Sequence, residues 1–287
     1  MKSVLRDYVA LAKPRIAILL VFTTVTAMII AANGVPDVGI LVATIFGGAL
    51  ASGGSSAVNQ YYDRDMDKKM SRTKKRPIAA GRISPLAGLA YGVMLILLST
   101  ALLGTFVNWL AASLALAGSV YYIFLYTMLL KRNTVVNIVI GGGAGAVPVL
   151  VGWAAVHGSL AVEAWLLFSI IFYWTPPHSW ALALLVNADY TRADVPMMPV
   201  ARGEETTRRQ ILLYSLLLVA LTLVPVSIAM LGLFYLVSAL LLGGGLLWRS
   251  IHLIQEKTAL ASKRMYKYST SYLALLFLAM IIDRMAF

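Results

Sequence analysis

Asn59, Asp63 and Asp67 stand at i, i+4 and i+8 in the stretch NQYYDRDMDKKMSRTKKRP, residues 59–77. On a helix this spacing sets an amide and two carboxylates on nearly one face, over about 12 Å at 1.5 Å per residue, while Arg64 and Asp65 point elsewhere. Carboxylates this close repel one another, and a divalent cation would relieve the repulsion. Magnesium suits such donors, because it takes one or two carboxylates and leaves the rest of its octahedron to water and phosphate oxygens. Lys68, Lys69, Arg72, Lys74, Lys75, Arg76 and Arg82 follow directly. They would hold phosphate oxygens, Arg as a bidentate fork and Lys as a point charge. The same run also reads as a solvated juxtamembrane loop whose basic residues touch anionic lipid.

A second acidic stretch, VNADYTRADVPMMPVARGEE at residues 186–205, contains Asn187, Asp189 and Asp194. Two carboxylate loops flanking one cavity would make a metal-diphosphate clamp. Taken alone, this stretch also reads as a proline-containing turn with exposed charges. Lys131 and Arg132 close an apolar run, where they either grip diphosphate or anchor a helix end by snorkelling. Tyr122 and Tyr126 offer π faces to a cation, or belong to an interfacial aromatic belt.

These residues must be positioned by an unusually apolar chain. With 60% hydrophobic and 13% charged side chains over 287 residues, there is too little polar surface to cover a water-soluble globule, so the chain is an integral membrane protein. The net charge of +12 then reports topology and membrane lipid as a partner, and not nucleic acid. The lack of cysteine excludes disulfides, thiolate metal sites and a cysteine nucleophile. The basic N-terminal stretch MKSVLRDYVALAKPR is followed by no small-residue cleavage site and reads as a retained segment.

Apolar stretches of spanning length fall at 16–33, 38–58, 85–106, 109–130, 135–156, 164–186, 211–231, 233–251 and 268–286. This predicts a single all-α domain over 1–287, a polytopic membrane bundle of nine transmembrane helices. With loops assigned alternately, 23 of the 24 basic residues fall on one side and Arg284 lies opposite; the count begins with Lys2, Arg6, Lys13 and Arg15. The positive-inside rule then puts the N-terminus in the cytoplasm and the C-terminus outside. The acidic residues gather in the loops after the second and sixth spans. The expected active-site loops are therefore 59–84 and 187–210, at the cytoplasmic mouth.

Several stretches together resemble the UbiA-type intramembrane prenyltransferases, and within them the branch that farnesylates haem. They are LAKPRI at 11–16, NQYYDRDMD at 59–67, RTKKRPIAAGRISP at 72–85, YTMLLKRNTVVNIVIGGGAGAVPVLVGW at 126–153, TPPHSWALALL at 175–185 and DYTRADVPMMPV at 189–200. The resemblance covers the first two thirds of the chain. It implies that farnesyl diphosphate loses diphosphate to a vinyl group of haem B and that water adds, giving haem O. It further implies a Mg2+ requirement, with Asn59, Asp63, Asp67 and Asp189 as catalytic and metal-holding residues. Lys68, Arg72, Lys75, Arg76, Lys131 and Arg132 would bind diphosphate, Tyr122 and Tyr126 would face the prenyl cation, and His178 and Trp180 would bind haem.

The setting implied is a plasma or inner membrane with a cytoplasmic active site, and a haem A synthase or terminal-oxidase assembly as a partner. One departure stands out. Many members have DxxxD in the second loop, whereas Asp189 and Asp194 are five apart, so only Asp189 carries over. His178 is an axial-ligand candidate for haem iron or a histidine bonded across helices, and Pro176 and Pro177 would kink its helix. His157 and His252 look peripheral. The run GGGAGAVP at 141–148 lacks the GK[ST] of a phosphate loop and suits packing around a bulky ligand. Two alternatives remain: a prenyltransferase with another aromatic acceptor, and a secondary transporter, against which nine spans and one-sided carboxylates argue.

Overall fold

The computed structural model describes residues 2–286, with side chains from Val4 onward. The side chain of Lys2, counted above for topology, lies outside the described residues. A short amphipathic helix, α1 (Lys2–Leu11), leads into α2 (Pro14–Ala32), α3 (Val38–Lys69), α4 (Pro85–Phe106) and α5 (Trp109–Val120). The winding loosens after α5 into a π-helical segment, Tyr121–Leu130, seen in the Lys131 N–H donating to Tyr126 O, five residues back. Then follow α6 (Asn137–His157), α7 (Val162–Leu185), the short α8 (Asn187–Arg192) and α9 (Met198–Arg202), and α10 (Glu204–Ser227), α11 (Leu233–Glu256) and α12 (Ala259–Ala286).

Among the described residues nine long helical elements are present and no strand. Eight are long and apolar enough to cross a membrane. The ninth, α7, is 24 residues long but contains Thr175-Pro-Pro-His-Ser179, which lowers its hydropathy. Each long helix packs on the next in sequence, α7 packs on α10 and α12, and α12 returns to α2 to close the ring.

The turns follow from local chemistry. Asn33 ends α2 in a left-handed conformation, φ 54°, and Asp37 starts α3 by accepting the Ile40 N–H at 2.9 Å; these are ordinary helix-end devices. Ser84, with Pro85 at the first helical position, caps α4 in the same way. Where α3 crosses α4 the backbones nearly touch: a Cβ on Gly54 would sit 2.6 Å from Gly92 O. Small residues allow such an approach, and packing holds helices together in lipid, where burial supplies no driving force.

Two expected loop ranges need correction. Residues 59–69 are the last turns of α3, so the first loop is only 70–84. The range 187–210 holds α8, α9 and the start of α10. The charged residues there satisfy helical pairs such as Glu204–Arg208 and Glu205–Arg209, which favour continued winding.

Candidate active site

α3 runs past its apolar span far enough to present Asn59, Asp63 and Asp67 on one buried face, 3%, 0% and 1% exposed respectively. Buried carboxylates require partners, and each has them. Asp63 Oδ2 accepts from Asn59 Nδ2 at 2.9 Å and from Lys131 Nζ at 2.5 Å, while Arg132 Nη2 lies 3.4 Å from Asp63 Oδ1. Asp67 accepts from Arg76 Nη1 at 2.9 and 2.8 Å. Asn59 Nδ2 also donates to Thr127 Oγ1 at 3.0 Å. Protein cations therefore relieve the carboxylate repulsion. Burial lowers the Lys131 pKa, against the opposing pull of Asp63.

Several expected residues lie elsewhere. Lys68 pairs with exposed Asp65 at 3.2 Å, and Lys75 is exposed. The structure brings neither to the acidic face. Asp189 does not join Asp63 and Asp67 in one cluster either. It accepts the Arg72 N–H at 3.2 Å and pairs with Arg192, which also donates to Ser71 Oγ at 2.9 Å. The second acidic stretch thus latches onto the first loop through its backbone. Burial opposes ionisation of Asp189, but N–H groups of Ser71 and Arg72 and the charge of Arg192 hold its pKa below the usual carboxylate value. Asn187 turns away to Glu204 at 3.3 Å, and Asp194 occupies a left-handed turn position, φ 53°.

Below the acidic face lies a cavity of about 390 Å³ between α2, α3, α5, α6 and α7. Ser52, Ser55 and Ser56 line it from α3, Tyr122 and Tyr126 from the π segment, and Gly141, Gly142, Ala144 and Gly145 from α6. The two tyrosine rings stack at 5.6 Å. The Ser56 hydroxyl is buried there without a hydrogen-bond partner, as expected of a group that meets a ligand. The glycine-rich run of α6 forms a wall of this space.

His178 and Trp180 do not line the cavity. His178 Nδ1 is 2.9 Å from Ser269 Oγ on α12, with its ring stacked on Trp174 at 4.3 Å and tilted against Tyr266 at 4.7 Å. Of the two readings of His178, this geometry is that of a histidine bonded across helices. Trp180 is fully buried and packs edge-on against Tyr214 at 5.2 Å. Helical spacing explains this placement: Thr175 and Ser179 share the cavity face of α7, and residues 178 and 180 lie off it.

Lys13 and Thr127 are at the site without having been singled out for it. Lys13 lines the cavity, with Nζ 3.5 Å from Asn59 Oδ1. Desolvation, then Arg76 and Lys131, lower its pKa to about 7 against the pull of Asp67 and Asp63. The signal is LAKPRI, which carries part of the resemblance while its Lys13 counts only toward topology; Thr127 has none.

The chain matches the UbiA prenyltransferase family over residues 20–281. It belongs to that family. A protoheme IX farnesyltransferase of Symbiobacterium thermophilum is 50% identical over 283 residues, covering 98% of this chain and 95% of the relative. One of Roseiflexus sp. (strain RS-1) is 51% identical over 285 residues, 99% of this chain but 53% of the relative. The chain thus spans about half the length of several curated relatives it matches. A solved digeranylgeranylglyceryl phosphate synthase shares the fold at TM-score 0.82 and 17% identity, covering 99% and 100% of the two chains. A UbiA homolog from Archaeoglobus fulgidus, solved with DMAPP and Mg2+, does so at 0.68 and 15%, covering 96% and 99%.

The UbiA donor set in this chain fits magnesium. Its oxygens are hard carboxylate and carboxamide donors, and among the described residues no group of three or more His, Cys, Asp or Glu side chains is placed to hold a metal ion without further ligands. Magnesium prefers a partial protein shell that phosphate oxygens complete. Asn59, Asp63 and Asp67 share the buried face that would hold it, while Asp189, engaged by the Arg72 N–H and Arg192, stands apart from them.

Proposed function

We propose that this chain transfers the farnesyl group of farnesyl diphosphate to a vinyl group of haem B, with addition of water, to give haem O and diphosphate. The observation that carries the reading is a buried carboxylate face, ringed by Lys131, Arg132 and Arg76, at the head of an apolar cavity. A polar head and an apolar tail are thereby accommodated end to end. The farnesyltransferase relatives support haem as acceptor, and the Archaeoglobus homolog supports a magnesium-dependent prenyl diphosphate donor.

In this reading the C1–O bond breaks with its electron pair passing to diphosphate. The vinyl π electrons form the new C–C bond, water oxygen closes the resulting cation, and its proton leaves to solvent. Bound magnesium would neutralise diphosphate oxygens. Arg76, Lys131 and Arg132, now paired with Asp67 and Asp63, would turn to phosphate, and preorganised charge of this kind is the main lever of such a site. Lys68, Arg72 and Lys75, exposed at the same mouth and away from the acidic face, would draw the diphosphate in by their charge. The Tyr122 and Tyr126 rings would face the allylic cation, and the apolar walls would shield it from premature water.

In this reading the positive-inside rule supports a mouth facing the cytoplasm, with the N-terminus on the cytoplasmic side and the C-terminus outside a plasma or inner membrane. A haem A synthase or oxidase-assembly partner would receive the product. The test is reconstitution in detergent with magnesium, farnesyl diphosphate and haem B, read by mass spectrometry. A farnesylated, hydrated haem that disappears with chelator is expected. Magnesium-dependent consumption of donor only with other aromatic acceptors would discard haem and keep the clamp.

A further inference from the structure

Lys13 joins α1 to α2 with a left-handed backbone, φ 47° and ψ 62°. The turn accounts for the conformation. As α1 ends, the Ala12 N–H donates to Val9 O at 3.2 Å and the Lys13 N–H to Ala10 O at 3.3 Å, and the residue just past a helix end is commonly left-handed. Glycine takes that position at no steric cost, whereas a residue with a Cβ is disfavoured there. Pro14 restricts residue 13 further. The turn therefore explains the backbone but not the lysine.

The side chain does. Lys13 is the only charged residue among those lining the cavity, and its amine points at Asn59 Oδ1, at the start of the acidic face. Asp63 and Asp67 are already paired with Lys131, Arg132 and Arg76. Among the described residues Lys13 forms no ion pair. A cation held near other cations, on a disfavoured backbone and without a carboxylate of its own, marks a place where an anion belongs. That place is the junction of the polar head and the apolar tail of the site.

We propose that Lys13 is a catalytic residue that binds the phosphate nearest the prenyl carbon and stabilises the bridging oxygen as it takes the electron pair of the breaking C1–O bond. It remains a donor throughout and transfers no proton. This assignment rests on the prenyl diphosphate reading above.

Lys13→Gly tests it, because the substitution removes the amine and gives the turn the residue it favours. The expected result is a kcat lower by about a hundredfold, weaker inhibition by inorganic pyrophosphate, and an unchanged or higher unfolding temperature. Lys13→Arg should recover part of the rate. Lys13→Asn, another residue tolerant of the left-handed region, serves as the second variant should the glycine loosen the turn. A folded Gly or Asn variant that turns over and is inhibited like wild type would overturn the assignment. Failure of the wild-type protein to bind farnesyl diphosphate would instead overturn the reading on which it rests.

Discussion

Lys131 Nζ and Asp63 Oδ2 lie 2.5 Å apart, tying the π-helical end of the fourth span to the acidic face of α3. Residues 131 and 132 reach Asp63 from a segment whose Lys131 N–H bonds five residues back; π-helical turns are uncommon and recur at functional sites.

Breaking this pair from one side should cost stability as well as activity. Asp63→Ala leaves Lys131 facing a fully buried position without its carboxylate, a change worth about 3–5 kcal/mol, and should lower turnover by about 10²–10³. Removing both charges, Asp63→Asn with Lys131→Met, should recover most of the unfolding temperature and none of the turnover. Thermal unfolding in detergent and product mass spectrometry read the two effects separately. Normal turnover in the single variant would end the clamp model.

The His178–Ser269 contact predicts a different pattern. His178→Ala and Ser269→Ala should each destabilise by about 1 kcal/mol, and the double variant by little more than either alone. The Soret band on haem titration should be unchanged in His178→Ala. A shifted band would restore His178 as an iron ligand.

Two glycines on α6 separate cavity from packing. A Cβ on Gly145 meets nothing within 4 Å, and the residue lines the cavity. Gly145→Leu should therefore leave the fold intact while weakening farnesyl diphosphate binding. A Cβ on Gly152 would lie 2.3 Å from Thr24 O, a backbone atom of α2 that cannot swing aside. Gly152→Ala should lower stability by about 1–3 kcal/mol. Equal donor affinity in Gly145→Leu and wild type would move the prenyl chain out of this cavity.

Periodic spacing was legible where a motif lay on one helix. Asn59, Asp63 and Asp67 share a face because i, i+4 and i+8 repeat with the turn of α3, and hydrophobic runs bounded by Gly, Asn, Asp and Pro marked the helix ends. Long-range pairing was not legible in the same way. Nothing in YTMLLKR announces π winding, and the Ser269 that engages His178 lies 91 residues away. Lys68, Arg76 and Lys131 look alike as basic residues, yet one pairs with an exposed aspartate and two with buried ones.

Composition and periodicity by themselves determined that this chain is a helical membrane bundle with a carboxylate face at one mouth, because apolar run length and helical repeat are local properties of the chain. Tertiary packing alone decided which cations meet those carboxylates, that Asp189 latches onto the Ser71–Arg72 backbone, that His178 faces α12, and that Lys13 reaches the cavity. Each depends on how helices distant in sequence are rotated against one another. That rotation is set by close packing of small residues across many contacts, which no single stretch encodes.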